Sequence, residues 1–144
     1  MYAERTTLVR FVFKIGSNGM VETHMRILSI ETSCDDTAIT IMEARLDPAR
    51  QAKGDIESAS FKVLANVSDS QIKIHAPYGG VYPMLAKREH IKNLPILLEE
   101  VLKKAFLKGK ALGIQKGLAF LKNPGIDLIA VTYGPGLEPA LWTG

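Results

Sequence analysis

The stretch Ile27–Met42, ILSIETSCDDTAITIM, constrains this chain more than any other. A short apolar run, Ile27 to Ile30, leads into seven consecutive polar residues, Glu31 to Thr37, and the chain leaves through the alternation Ala38, Ile39, Ile41. Alternation with period two puts every second side chain on one face of a strand. The apolar pieces therefore read as two antiparallel strands, RILSI and TAITIM, with the polar residues at their hairpin tip. That tip concentrates two adjacent carboxylates, Asp35 and Asp36, three hydroxyls and the single thiol of the chain, Cys34.

Two readings of the tip remain open on composition. Asp, Ser and Thr side chains bond back to local backbone and favour turns, so a plain polar turn is one. The other is a phosphate or metal-phosphate loop, in which hydroxyls and exposed N–H groups face phosphate oxygens and a carboxylate orients a cation or water. A nucleophilic Cys34 needs a base partner, and no histidine lies near it in sequence.

The rest of the chain has room for one ordinary domain in its 144 residues. Its formal charge of +3 permits nucleic-acid contact without arguing for it. One cysteine excludes an internal disulfide framework and fits a reducing, cytoplasmic compartment. No apolar run approaches the roughly 18 residues of a transmembrane helix. Residues 1–24 differ in character from the remainder, with a short strand expected over Leu8 to Ile15 and then a GSNG turn cluster. They are expected to be an extension, with translation starting at Met25, directly before RILSI.

Downstream, residues 44–60 read as a polar loop or long hairpin tip, FKVLANVS as a third strand, and SQIKIHAPYGG as an irregular connection. Pro83 suits the first turn of a helix. Apolar residues at Leu94, Leu97, Leu98, Val101, Leu102, Ala105 and Phe106 then form an amphipathic stripe. Pro95 within it predicts a kink, or two helices meeting near Asn93. Glu99 and Lys103 are spaced for an exposed ion pair. Residues 108–125 read as a short helix or insertion, and IDLIAVTYG as a fourth, central strand. The turn Gly134–Gly136 comes next, where glycines let backbone approach a ligand, and LEPALWTG opens like a helix whose remainder is missing. The expected order is an antiparallel meander of three strands, then a helix that returns the chain to a parallel fourth strand. The histidines, His24, His75 and His90, have no ligand spacing among themselves, so no metal site is visible and each reads as structural. The basic cluster Lys87–His90 reads as a solvated helix face.

Taken in order, RILSIETSCDDTAITI, ANVSDSQ, HAPYGGVYPMLAKREHIKNLPILLEEVLKKA and IDLIAVTYGPGLEPALWTG resemble the universal tRNA N6-threonylcarbamoyladenosine transferase family, the TsaD-like family once labelled O-sialoglycoprotein endopeptidase. The resemblance covers roughly residues 25–144, with insertions at 44–60 and 108–125. It implies an α/β fold of the actin-like, Hsp70-like ATPase type (ribonuclease H-like), here a truncated first lobe with a mixed sheet and a long helix. It implies transfer of threonylcarbamoyl from its adenylate to N6 of the adenosine beside the anticodon in tRNAs reading ANN codons, with small paralogous partner proteins in the cytoplasm. It also implies one metal, iron or zinc, whose H-x-x-x-H ligands would lie beyond Gly144. Carried onto this sequence, the family site maps to Asp35 and Asp36 as catalytic residues and Thr32, Ser33, Gly134 and Gly136 as substrate-binding residues, with no metal ligand in this chain. The alternative is a non-catalytic, metal-free paralogue of the same pathway that dimerises through its first lobe. An H-x-x-x-H codon pattern downstream of Gly144 would discriminate the two.

Overall fold

The computed structural model describes residues 8–13, 24–45, 60–107 and 125–144. Five strands appear among them: β1 (Leu8–Phe13), β2 (His24–Glu31), β3 (Asp36–Arg45), β4 (Ser60–Ser70) and β5 (Leu128–Gly134). Three helices accompany them: α1 (Ile72–His75), α2 (Pro83–Leu102) and α3 (Glu138–Leu141). The sheet order is β1-β5-β2-β3-β4. Strands β2, β3 and β4 form the expected antiparallel meander, with Leu28 opposite Ile41 and Ile39 opposite Val67. Strand β5 returns parallel to β2, pairing Ile27 with Leu128 and Ile30 with Val131. The strand expected near the N-terminus is present as β1, antiparallel to β5 at the edge of the sheet.

The parallel register has a local clamp. The Arg26 N–H donates to a carboxylate oxygen of Asp127 at 2.8 Å, and the Asp127 N–H donates to the Arg26 carbonyl at 2.9 Å. This reciprocal pair fixes where β5 begins beside β2. It satisfies backbone groups that would otherwise be stranded at the strand entrance.

Helix α2 covers one face of the meander. Leu97, Val101 and Leu102 pack on Leu28, Ile39, Ile41, Ala65 and Val67. A smaller cluster, Ile27, Ala44, Leu128 and Ala130, forms on the opposite face. Pro83 opens α2 as the sequence predicts. The helix then runs without a break through Pro95, so it is one helix and not two. Losing one backbone bond there costs a few kcal/mol, and the inward side chains Leu94, Leu97, Val101 and Leu102 anchor the helix on both sides of the proline. A π-helical turn, Lys103–Leu107, continues it and brings Ala105 and Phe106 to the core. Lys103 pairs with Glu99 as the spacing predicts.

The connection expected to be irregular is more ordered than that. Residues Ile72–His75 make the helical turn α1 and Ala76–Tyr78 a 3-10 turn, closed by Gly79 at φ 70°. Strands β3 and β4 extend to Arg45 and Ser60, so the ends of the predicted 44–60 loop are strand. Its interior, residues 46–59, and residues 108–124 of the predicted insertion lie outside the described residues.

Candidate functional site

Because β2 and β5 are adjacent and parallel, the loops leaving their carboxyl ends emerge at the same end of the sheet. From β2 the chain turns into β3, and from β5 it passes into α3, which packs beside α2. The carboxyl ends of parallel strands are the usual ligand position of open α/β sheets. The hairpin tip and the Gly134–Gly136 turn are the two loops in question.

They are docked on each other. The Leu137 N–H donates to the Ser33 carbonyl at 2.7 Å, and the Thr32 hydroxyl donates to the Ala140 carbonyl at 3.0 Å. Thr32 is fully buried by this contact. Gly136 is where the two backbones come closest: a Cβ there would meet the Ser33 carbonyl oxygen at 2.6 Å and the Ser33 Cβ at 2.7 Å. At Gly134 a Cβ would meet nothing within 4 Å. Of the two glycines singled out in the turn, Gly136 alone is sterically demanded.

Glu31 ties the same two loops from the strand side. One of its carboxylate oxygens accepts the Ser33 N–H at 2.7 Å; the other accepts the Thr132 hydroxyl. A carboxylate accepting two donors at once holds both in place, and charge-assisted bonds of this kind are the stronger ones. Glu31, the first residue of the polar tip, therefore organises it.

Asp35 is half-buried and Asp36 exposed at the tip. Cys34 is exposed, yet its thiol is pushed above the ordinary cysteine value, first by partial desolvation of the sulfur, then by its hydrogen bond to the Asp35 carboxylate and the negative charge there, with Asp36 adding to it. Both carboxylates disfavour the thiolate, which removes Cys34 as an activated nucleophile. The carboxylates remain the groups on the tip able to take a proton or orient a polar ligand.

Beneath the tip lies a buried polar network. His90, on the inward face of α2, approaches the Cys34 carbonyl with Nε2 at 3.1 Å. Its Nδ1 lies 2.7 Å from the Thr37 hydroxyl and 3.2 Å from Gln71 Nε2. Gln71 Oε1 lies 3.1 Å from His75 Nε2, and the Tyr82 N–H donates to His75 Nδ1 at 3.3 Å. Gln71 also donates its backbone N–H to the Asp35 carbonyl at 2.9 Å. Thr37, Gln71, His75 and His90 are all buried. Burial holds the His90 imidazole below its ordinary pKa, against opposing pulls from the Cys34 carbonyl, Glu31 and Asp35.

The structural reading of His75 and His90 therefore holds, and the solvated-face reading of Lys87–His90 fails at its last residue. One signal for His90 was present: it lies four residues after Ala86 and seven before Leu97, on the stripe that faces the sheet. Nothing in the sequence marks Gln71, Glu31 or Thr132 as its companions in support of the tip. Among the described residues, no three His, Cys, Asp or Glu side chains are grouped so that they could hold a metal ion. These residues do not fit a metal centre.

Residues 62–144 match the family model for TsaD, the tRNA N6-adenosine threonylcarbamoyltransferase. The match takes in α1, α2, β5 and the Gly134–Gly136 turn. The chain belongs to the TsaD family. A tRNA N6-adenosine threonylcarbamoyltransferase of Thermotoga neapolitana is 37% identical over 120 residues, 83% of this chain and 27% of the relative. The enzyme of the same name from Thermosipho melanesiensis is 38% identical over 120 residues, 83% of this chain and 28% of the relative. The chain thus spans a little over a quarter of the length of these TsaD relatives. Within it the TsaD family model includes three of the four network side chains, Gln71, His75 and His90, while Thr37 and the hairpin tip precede the matched region. No helix among the described residues is long and apolar enough to cross a membrane.

Proposed function

We propose that this chain supplies part of the first lobe of a tRNA N6-adenosine threonylcarbamoyltransferase with the actin-like, Hsp70-like ATPase architecture, and that the docked tip and turn form one wall of its acyl-transfer site. The observation that carries this reading is the juxtaposition itself. Thr32 and Ser33 are locked onto the Gly136–Ala140 segment at the carboxyl ends of two parallel strands, with Asp35 and Asp36 at the free end of the tip.

In the reaction the N6 amine of adenosine attacks the carbonyl carbon of threonylcarbamoyl adenylate. A C–N bond forms, the C–O bond to the phosphate breaks, and AMP leaves with the bonding electron pair. The amine must lose a proton in the process. Asp35 and Asp36 orient the amine, or the water that takes this proton, and general-base assistance of this kind is worth about 10²–10⁴-fold in rate. Ser33 and the Gly134–Gly136 backbone shape the surface against which the adenylate lies. The iron or zinc of the family would be held by residues other than those described. The substrates are tRNA and the adenylate, and the setting is a cytoplasmic complex with small paralogous partners.

The test is a rate measurement with the transferase that contains this segment, assembled with its partners, on an ANN-decoding tRNA. Asp35→Asn and Asp36→Asn, separately and together, are expected to slow formation of threonylcarbamoyl adenosine by tenfold or more with tRNA binding retained. A double variant that works at the unmodified rate refutes the assignment.

A further inference from the structure

The network under the tip has a property that its distances alone do not display. Its two ends are backbone groups, and backbone groups cannot exchange donor and acceptor roles. At one end the Tyr82 N–H can only donate, so His75 Nδ1 accepts and its proton sits on Nε2. That proton goes to Gln71 Oε1, which places the amide nitrogen of Gln71 toward His90. His90 Nδ1 therefore accepts, from Gln71 and from the Thr37 hydroxyl, and its own proton sits on Nε2. At the other end the Cys34 carbonyl can only accept, and it receives that proton. Every link agrees with its neighbours, and the amide orientation and both tautomers follow from the two fixed ends.

We propose that His90 is a positioning residue for the Cys34–Asp36 tip, acting as a neutral imidazole whose single proton arrangement is locked from both ends by backbone. With Gln71 it holds two consecutive tip carbonyls: Cys34 through the ring, Asp35 through the Gln71 N–H. Peptide planarity then turns the Asp35 N–H away from His90, toward the Cys34 sulfur, where a backbone hydrogen bond is found. The tip carboxylates are thus aimed by a helix residue more than fifty positions away.

Protonating His90 would put a second N–H on Nδ1; the Thr37 hydroxyl can turn to accept it, but the Gln71 amide donors then face it with no acceptor. Turning the Gln71 amide to accept would set its NH2 against the His75 Nε2 proton. Moving that proton to Nδ1 would set it against the Tyr82 N–H. No rearrangement satisfies all members, so a buried bond is lost. The titratable groups facing His90 are Glu31, Cys34 and Asp35 from the tip and His75 from α1. His90 holds the tip in this way whether or not the tip meets the substrate proposed above.

The experiment is imidazole nitrogen NMR on the histidine-labelled chain between pH 4 and 8, with backbone amides followed in parallel. His90 is expected to show a bare Nδ1 and a protonated Nε2 at pH 7, and the Asp35 and Asp36 amides to shift with its titration midpoint. Gln71→Glu keeps the acceptor for His75 but offers Nδ1 an anionic acceptor in place of a donor. It should move the His90 midpoint upward by about one pH unit or more. Thr37→Val, which removes the one hydroxyl able to turn and accept a proton on Nδ1, should move it downward, and Thr37→Ser should restore it. An Nδ1-protonated His90, or a titration that leaves Asp35 and Asp36 unmoved, overturns the proposal. If Gln71→Glu does not fold, the wild-type tautomer and the Thr37 pair still decide it.

Discussion

Replacing Gly136 by alanine tests whether the tip and turn are one unit. Gly136 does not occupy the left-handed backbone region, so alanine can adopt its conformation without intrinsic strain. The cost is contact alone. The new methyl carbon would sit 2.6 Å from the Ser33 carbonyl oxygen and 3.0 Å from its Cα, and these are backbone atoms with no rotamer to escape into. Overpacking of this kind costs about 1–3 kcal/mol. Relief requires the loops to separate, which also lengthens the 2.7 Å bond from Leu137 to Ser33, worth about 0.5–1.5 kcal/mol. The expected total is about 2–4 kcal/mol. With a urea slope of about 1–3 kcal/mol/M, the unfolding midpoint should fall by roughly 0.7–4 M. Hydrogen exchange supplies the local reading: the Leu137 amide should lose protection by at least about tenfold as the docked pair opens. Gly134→Ala is the control from the same turn, since its Cβ would meet open space, and should shift stability by less than about 0.5 kcal/mol. If Gly136→Ala unfolds at the unmodified midpoint with Leu137 still protected, the two loops are not docked as a unit.

Glu31→Leu should destabilise by about 2–5 kcal/mol, because it leaves the Ser33 N–H and the Thr132 hydroxyl without their acceptor; Glu31→Gln should cost about 1 kcal/mol, since its amide still offers one acceptor and Thr132 can turn its hydroxyl. Urea unfolding of the pair reads the difference. Cys34 in the folded chain should react with iodoacetamide at pH 8 more slowly than in the denatured chain, and Asp35→Asn should speed it, because burial and the neighbouring carboxylates disfavour the thiolate. His90 also gives stability an acid edge. Its folded pKa lies below its unfolded value, so between the two the unfolded chain binds more protons. The His90 contribution is full above the ordinary histidine value of 6.5 and is lost as pH falls through the folded value. The difference in unfolding free energy between the unmodified chain and His90→Gln, measured from pH 7.5 to 5, should shrink with acid; a constant difference would contradict it.

The strands and the long helix were legible because their signals are local. Alternation around the tip, the apolar run of β5 and the stripe after Leu94 each state a periodicity within a few residues, and Pro83 marks its own helix start. Pro95 was legible as a residue but misleading as punctuation, since packing on both of its sides outweighs one missing bond.

The tip itself could be located from the sequence, and with it Thr32, Ser33, Asp35 and Asp36. What holds the tip could not. Thr32 finds its acceptor 108 residues away, Glu31 reaches Thr132 across 101, and Thr37 meets His90 across 53. Local chemistry determined that a polar hairpin would form and which groups it carries. Only the parallel return of β5 and the seating of α2 decided that Gly136 must lack a side chain, that Gly134 need not, and that a helix histidine sets the backbone of the turn. A hairpin folds by the preferences of neighbours in the chain, whereas a bond between distant residues exists only once the sheet and helix have brought both ends to one place.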